Sequence, residues 1–279
     1  TYVCFQETYD PVLYKRFHPA GTPKADYEYR LTVMDRAMEG GVNDVGIGAL
    51  FGLGDYRFEV LAMMEHAAHL ERCYGCGPHT VSVPRMEPAI GAPTAENIPN
   101  PVSDDDFKKL VAIIRIALPY TGIILSTREN DKMRNELIEY GVSQISAASK
   151  TNPGSYAHEE EGTGTQFSTG DHRTLEEVIS SLIDGGYIPS FCTACYREGR
   201  TGDRFMSLCK TGQIQNCCHP NALMTLSEYL EDYASPETKA IGYEMIAREL
   251  GRIPKEKVRS IAEQNIQDIR NSNRRDFRF

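Results

Sequence analysis

The sequence predicts an α/β protein, the second half of a TIM-like (β/α) barrel followed by a mainly helical domain. Three observations carry this. Short apolar runs alternate with helical segments through the first half of the chain, the pattern of βα units in a parallel sheet. Five such strands are too few to close an eight-stranded barrel, but they match its second half. Beyond them a cysteine-rich stretch leads into three consecutive helical patterns. The expected division is residues 1–155 for the half barrel and 156–279 for the helical, cysteine-bearing domain. A doubly wound open sheet is the competing arrangement, but no glycine-rich phosphate fingerprint follows any strand.

Residues 2–6 form a short apolar strand that ends in the polar Gln6, Glu7 and Thr8. A helix over 27–39 stops at Gly40 and Gly41. Residues 44–53 are almost continuously apolar, as suits a strand buried on both faces. The glycines in that run fit either close approach of a ligand or tight packing. Asp55 or Tyr56 opens a long helix to about residue 72, with apolar Phe58, Leu61, Ala62 and Ala68, and with His66 and His69 near its end. Residues 80–84 form the next strand. Ser103 caps a helix whose first turn carries Asp104, Asp105 and Asp106, where the helix dipole favours carboxylates. Its apolar stripe is Phe107, Leu110, Val111, Ile114 and Leu118. A strand over 121–126 delivers Thr127, Arg128 and Glu129 at its C-terminal end. A helix over 130–140 and a strand over 143–148 complete the alternation.

Residues 150–170 are rich in Gly, Ser, Thr and Glu and read as a long connecting loop. Thr174 and Glu177 form a capping box ahead of a helix over 175–184. After the cysteines come helices over 222–233, 236–250 and 254–269. Leu226 and Leu230, Ile241 and Met245, and Val258 and Ile261 recur at helical spacing and read as core. The tail 270–279, with four arginines, reads as a surface arm.

The 279 residues are 41% hydrophobic and 25% charged, the balance of a soluble globular protein. A net charge of −9 argues against nucleic-acid binding, which needs a basic face. No apolar run is long enough to span a bilayer. Eight cysteines with no secretory signal favour metal or redox chemistry in a reducing cytoplasm over disulfides. The chain opens without Met, inside what reads as a buried strand, so the expectation is a fragment.

Cys192 and Cys195 are two residues apart, and Cys218 follows after twenty-two more. Thiolates so spaced converge on one metal centre, a tight loop placing two sulfurs together and a longer loop returning the third. A closed zinc site would take a fourth ligand from Cys209, Cys217 or His219; a [4Fe–4S] cluster would leave one iron open. Spacing alone does not choose between them. Cys73-Tyr-Gly-Cys76 is a second Cys-x-x-Cys with no matching pair nearby, and reads as two ordinary thiols. His66 and His69 read by position as surface or core residues. Arg128 at a strand end suits bidentate binding of a carboxylate, or equally a salt bridge with Glu129. Gln6 and Glu7 occupy the same kind of position on the first strand, and Arg30, early in a helix, reads alone as solvated.

The module Phe-Cys-Thr-Ala-Cys-Tyr-Arg-Glu-Gly-Arg-Thr-Gly-Asp-Arg-Phe-Met, followed by Gly-Gln-Ile-Gln-Asn-Cys-Cys-His-Pro-Asn-Ala-Leu, resembles the C-terminal cluster motif of the [FeFe]-hydrogenase maturase family HydG, which are radical S-adenosylmethionine (SAM) tyrosine lyases. The resemblance continues through Tyr-Arg-Leu-Thr-Val-Met-Asp-Arg-Ala, Gly-Ile-Gly-Ala-Leu-Phe-Gly-Leu, His-Thr-Val-Ser-Val-Pro-Arg and Ser-Thr-Arg-Glu. It covers essentially the whole chain. The barrel segments are shared with the thiamine-pathway tyrosine lyase and, more weakly, with biotin synthase. The resemblance implies a radical SAM barrel in which one [4Fe–4S] cluster cleaves SAM. Tyrosine is then split to p-cresol and dehydroglycine, and dehydroglycine gives CO and cyanide bound to iron at an auxiliary [4Fe–4S] cluster. It implies iron over zinc, because a site that captures CO and cyanide needs an exchangeable position.

By the same resemblance Cys192, Cys195 and Cys218 match the auxiliary cluster's ligands, and His69 matches the histidine that binds an additional iron. Arg128 falls where the amino-acid carboxylate is gripped. Arg30 falls where relatives contact the SAM carboxylate, with Gln6 and Glu7 at the same barrel mouth. The implied partners are tyrosine, SAM and hydrogenase maturation proteins that receive the iron–carbonyl–cyanide unit. The family's Cys-x3-Cys-x2-Cys segment for the SAM-cleaving cluster does not occur here. The expectation is therefore the C-terminal portion of such a lyase, inactive by itself. A non-catalytic zinc module that docks partners through its C-terminal helices, and a thiamine-pathway tyrosine lyase, are the alternatives.

Overall fold

A computed structural model describes residues 1–89, 91–152, 154–156 and 167–279. It falls into two compact units, Thr1–His172 and Arg173–Phe279. The first holds five strands: β1 (Tyr2–Val3), β2 (Val45–Gly48), β3 (Thr80–Ser82), β4 (Gly122–Leu125) and β5 (Gln144–Ile145). All pair in parallel, in the order β1-β2-β3-β4-β5. Every strand thus lies beside its predecessor. This is the succession of a (β/α) barrel wall, and it removes the doubly wound alternative, whose order must reverse at a switch point. The ladders continue past the strand ends through single bridges, Glu7 to Ala49 and Phe51 to Arg85.

The helices of this unit are α1 (Pro11–Phe17), α2 (Tyr27–Leu31), α3 (Val33–Glu39), α4 (Tyr56–Tyr74), α5 (Pro93–Glu96), α6 (Asp104–Ala117) and α7 (Asp131–Glu139). The expected helix over 27–39 is two, because the chain turns at Thr32. The long crossovers follow their sequence signals. Asp55 caps α4, Ser103 caps α6 and Asn130 caps α7, each by a side-chain oxygen that accepts a first-turn N–H. Gly75, left-handed at φ 75°, ends α4. One core joins sheet and helices, with Val45, Ile47, Val81, Val83, Ile123 and Leu125 from the strands and Met63, Leu70, Phe107, Leu110 and Ile114 from the helices.

The strand glycines are explained by packing. A Cβ on Gly46 would meet Thr80 Oγ1 at 2.5 Å and Val3 Cγ2 at 3.0 Å; one on Gly48 would meet Phe5 Cδ1 at 2.8 Å and the Ser82 carbonyl at 2.9 Å. Protein atoms already fill the space that a ligand would need. β1, expected to be buried, is exposed, because it is an edge strand flanked only by β2 among the described residues. The last strand is two residues, shorter than the expected 143–148. Part of the expected connecting loop, residues 153 and 157–166, lies outside the described residues.

The second unit is helical: α8 (Leu175–Asp184), α9 (Ala194–Arg197), α10 (Gly202–Lys210), α11 (Gln215–Asp232), α12 (Pro236–Leu250) and α13 (Glu256–Asn271). Thr174 and Glu177 form the expected capping box, and Ser235 caps α12 ahead of Pro236. Leu223, Leu226, Leu230, Met245, Ile246, Ala262 and Ile266 form its core. Gly242 lets α12 approach α11, since a Cβ there would sit 2.5 Å from Leu230 Cδ1. α11 starts seven residues before the expected position 222 and takes in Cys217, Cys218 and Pro220. The proline masks the early start, since a helix interior normally excludes it.

Candidate functional site

The C-terminal ends of the parallel strands gather charge. On β4, Thr127, Arg128 and Glu129 emerge together. The 130s helix then begins at Asn130, so the backbone here is fixed at both ends. Glu129, 3% exposed, is not the partner of Arg128. Arg85, from the end of β3, takes it in a fork, with Nε to Oε1 at 2.8 Å and Nη2 to Oε2. Arg85 also donates to Asp104 (2.8 Å) and to the Val102 carbonyl (3.0 Å), and lies over the Phe107 ring.

Among the described residues the Arg128 side chain makes one hydrogen bond, Nη1 to the Arg85 carbonyl at 3.3 Å, and has the Phe167 ring 3.8 Å from its guanidinium carbon. No carboxylate of the described residues lies within ion-pair distance of it. Burial pulls its pKa below the ordinary arginine range, with Glu87 and Glu129 opposing from farther off. A half-buried, stacked guanidinium without a bound counter-charge is a carboxylate receptor.

A latch holds this loop. Gly170 N–H and Asp171 N–H both reach the Thr127 carbonyl, at 2.8 and 3.2 Å. A Cβ on Gly170 would stand 2.6 Å from the Arg128 carbonyl oxygen, so only glycine fits. Asp171 pairs with Arg134, both side chains 1% exposed, and Arg134 also donates to the Ser146 carbonyl. Phe167, Gly170 and the Arg134–Asp171 pair were not singled out from the sequence. The loop that carries them gave only a composition signal.

At the end of β1 the structure brings Gln6, Glu7 and Arg30 together. Glu7 sits in a left-handed conformation, φ 69°. Its carboxylate meets His18 Nε2 at 2.8 Å, Lys24 Nζ, and Arg30 Nη2 at 3.8 Å. Burial works to raise its pKa, but Lys24 and His18 outweigh it and the net shift is down. Arg30 Nε donates to the Phe5 carbonyl at 2.9 Å. Arg30 is thus anchored and not simply solvated. The Gln6 amide, 3% exposed, has no partner at either Nε2 or Oε1 among the described residues. Such a group is normally satisfied, so its orientation suits a ligand.

His69 is elsewhere. It lies near the C-terminus of α4, which returns the chain from the end of β2 to the start of β3, so it is not brought to Arg128 or Gln6. Its Nε2 is 2.5 Å from Asp35 Oδ1. His66, one turn earlier, is a different case. Its Nδ1 contacts Tyr9 Oη at 2.9 Å while its Nε2 is buried without a partner. Burial depresses its pKa from 6.5 to about 4, against the pull of Asp35. The fold therefore keeps this imidazole neutral, whereas the unfolded chain takes up a proton below pH 6.5. Stability held at neutral pH is lost as the pH falls from 6.5 to about 4, by on the order of 1–3 kcal/mol. Urea midpoints at pH 7 and pH 5 are expected to differ more for the native chain than for His66→Phe; equal differences would remove His66 as the cause.

In the second unit five thiols gather: Cys192 before α9, Cys195 on it, Cys209 on α10, and Cys217 and Cys218 in the first turn of α11. All cysteines are free. Ala194 N–H donates to Cys192 Sγ at 3.4 Å. The Arg200 side chain hydrogen-bonds Cys195, and this overcomes burial to raise the Arg200 pKa. Packing round the Cys218 thiol pushes it up to about 12, with Cys195, Cys192, Cys209 and Cys217 adding to the burial effect. Cys209 is pushed up to about 11 by burial and then by Cys195. A group of reduced thiols within one another's electrostatic reach is a donor set for soft metals, which bind by displacing the thiol protons. Among the described residues, no three His, Cys, Asp or Glu side chains close round a single ion position. His219 turns instead to Glu249 on α12, 3.4 Å away.

The tail does not hang free as a surface arm. Asp276 pairs with Arg197, Arg278 with Glu198 at 2.7 Å, and Arg275 with Asp232 at 2.5 Å. Phe279 N–H reaches Asn221 Oδ1 at 2.9 Å, and Arg200 Nη2 reaches the Phe279 carbonyl at 2.6 Å. Asp276 and Arg278 of this tail answer Arg197 and Glu198 beside Cys195, so the arm is drawn in across the cysteine loop. No helix of the described residues is long and apolar enough to cross a membrane.

Residues 82–188 match the Biotin and Thiamin Synthesis associated domain. The 2-iminoacetate synthase of Salmonella typhimurium is 35% identical over 189 residues, 66% of this chain and 48% of that protein. Among solved structures, a crystal structure of HydG, a maturase of the [FeFe]-hydrogenase, aligns with a TM-score of 0.94 and 54% identity, over 100% of this chain and 60% of that one. The FeFe-hydrogenase maturase HydG from Carboxydothermus hydrogenoformans aligns with a TM-score of 0.77 and 44% identity, over 95% of this chain and 57% of that one. The chain thus spans about half the length of the curated relative and about three fifths of the HydG chains. The resemblance read from the sequence holds, and so does the α/β fold with its parallel sheet.

Proposed function

We propose that this chain, akin over its whole length to the HydG maturases, is the substrate-holding and cluster-binding portion of a radical SAM tyrosine lyase that serves [FeFe]-hydrogenase maturation. The single observation that carries this is the group of thiols centred on Cys195 and Cys218, in a chain that matches HydG at 54% identity from end to end. The thiamine-pathway lyase is the weaker reading, because the match to the 2-iminoacetate synthase covers 66% of the chain and the match to HydG covers all of it.

Cys192, Cys195 and Cys218 would hold an auxiliary [4Fe–4S] cluster, and His69 an additional iron. The donor set fits: reduced thiols suit iron–sulfur ligation, and three thiolates leave one iron of four for an exchangeable ligand. When bound, that iron supplies the position at which CO and cyanide are captured. The chain's own residues do the rest. Arg128 grips the tyrosine carboxylate, Phe167 and the Gly170 latch hold Arg128 in place, and Arg30 with Gln6 receives the polar end of SAM. Glu7 orders this mouth through His18, Lys24 and Arg30. Tyrosine is split to p-cresol and dehydroglycine, and the iron–carbonyl–cyanide product passes to hydrogenase maturation proteins in the cytoplasm.

Anaerobic reconstitution followed by iron and sulfide analysis tests the cluster. The native chain is expected to retain about four irons and four sulfides in the cluster, with about one further iron where the His69 position is filled, and Cys195→Ser to lose most of the cluster iron and sulfide. Undiminished iron in Cys195→Ser, or a colourless chain replete in zinc, would overturn the reading in favour of a structural zinc module.

A further inference from the structure

We propose that Cys73 and His69 form a two-point chelate for a thiophilic metal ion on the last turns of α4. Cys73 is exposed, four residues after His69 on the same helical face, and its Sγ lies 3.7 Å from His69 Nδ1. That separation is the one a metal requires. With metal–nitrogen and metal–sulfur bonds of about 2.0–2.1 and 2.3 Å and a near-tetrahedral angle, nitrogen and sulfur ligands stand about 3.6 Å apart.

The surroundings complete the design. His69 gives its other nitrogen to Asp35 at 2.5 Å. A carboxylate on Nε2–H fixes the tautomer and aims the Nδ1 lone pair at Cys73, the arrangement by which a metal-bound histidine is oriented. Asp35 is itself held by Tyr74 Oη at 3.2 Å, and Tyr74 also reaches Glu39 at 3.4 Å. Two carboxylates and the carbonyl end of α4 make the neighbourhood favourable to a cation. Cys76, although it completes a Cys-x-x-Cys with Cys73, plays no part. The left-handed Gly75 separates the two, and Cys76 is 3% exposed in the core. In the sequence the Cys-x-x-Cys spacing points from Cys73 to Cys76, whereas the i, i+4 partner of Cys73 is a histidine. Among the described residues no third His, Cys, Asp or Glu joins the two donors, so water or a small exogenous ligand fills the other positions.

This deepens the assignment of His69 as an iron ligand by giving the ion a second protein donor. Cobalt(II) chloride is the test ion, added anaerobically to the 279-residue chain with Cys192, Cys195 and Cys218 changed to Ser, so that the three proposed cluster ligands do not compete. A thiolate-to-cobalt charge-transfer band is expected. Cys73→Ala and His69→Ala should each abolish the band and weaken binding by at least about tenfold, and Asp35→Asn should weaken it by about 10–100-fold with the band retained. Cys73 is exposed, so circular dichroism and Tm of Cys73→Ala should match the parent. A Cys73→Ala chain that keeps the band and binds within twofold overturns the chelate; if His69→Ala alone is then impaired, the histidine keeps its role without the thiol. Iron and sulfide content of Cys73→Ala with the three cysteines intact reports separately on the auxiliary cluster and should be unchanged.

Discussion

Arg128→Ala, made in the enzyme that carries the SAM-cleaving cluster, is expected to lower kcat/KM for tyrosine by on the order of 10²- to 10³-fold while SAM cleavage without tyrosine stays largely intact. The magnitude follows from the environment. Removing one partner of a desolvated charge pair costs about 2–5 kcal/mol, and each 1.4 kcal/mol is tenfold. Arg128 qualifies because it is already stripped of much of its water, stacked on Phe167 and spared from Glu129 by Arg85. Arg128→Lys should recover only part of the loss, because an ammonium keeps the charge but neither forks onto a carboxylate nor stacks on a ring. Steady-state kinetics with tyrosine, beside 5′-deoxyadenosine release without it, separate the roles. An equal fall in both would mean that Arg128 supports the barrel mouth and not the amino-acid carboxylate.

The same residue shows what could be read in advance. Its place at the end of β4 follows from a strand pattern alone, because parallel strands deliver their C-terminal residues to one edge. Its partner did not. Arg128–Glu129 and Arg128–carboxylate were equal readings, and the choice turned on Arg85, forty-three residues earlier and on another strand. Helices with local signals were legible to within a residue or two: α6 behind Ser103, α8 with its capping box, α12 between Ser235 and Gly251. Elements without local signals were not. α1 and α5 are short, and α11 hides its beginning under Pro220. The cysteine ligands were legible by spacing, whereas the tail that crosses them was not, because its ion pairs span up to 80 residues of sequence. Gly46 and Gly48 were ambiguous for a related reason. A missing side chain records that something comes close, but only the fold says whether it is Thr80, Phe5 or a ligand.

Asp171→Asn is expected to destabilise the first unit by about 3–5 kcal/mol, the cost of removing one member of a buried ion pair. Arg134 stays ionised under any ordinary condition, so the cation that loses this carboxylate has no protonation state to escape to. At 1% exposure it cannot reach water without opening the segment that covers it. Asparagine keeps the shape of aspartate, so a loss of this size reports the charge and not a cavity. Replacing both members by leucine should restore most of the stability, since a well-packed apolar pair of similar volume is often neutral against a buried ion pair. Urea unfolding of the native, Asp171→Asn and double-leucine chains measures the three values; a single variant within 1 kcal/mol of native would show the pair to be dispensable. The consequence for function is directional. Asp171 N–H and Gly170 N–H are the two groups that tie the latch to Thr127, one residue before Arg128. A chain that is folded but unlatched should therefore bind tyrosine more weakly than its stability predicts, and the double-leucine variant separates the two effects. It recovers the fold, and recovers tyrosine binding only as far as Gly170 N–H returns to the Thr127 carbonyl.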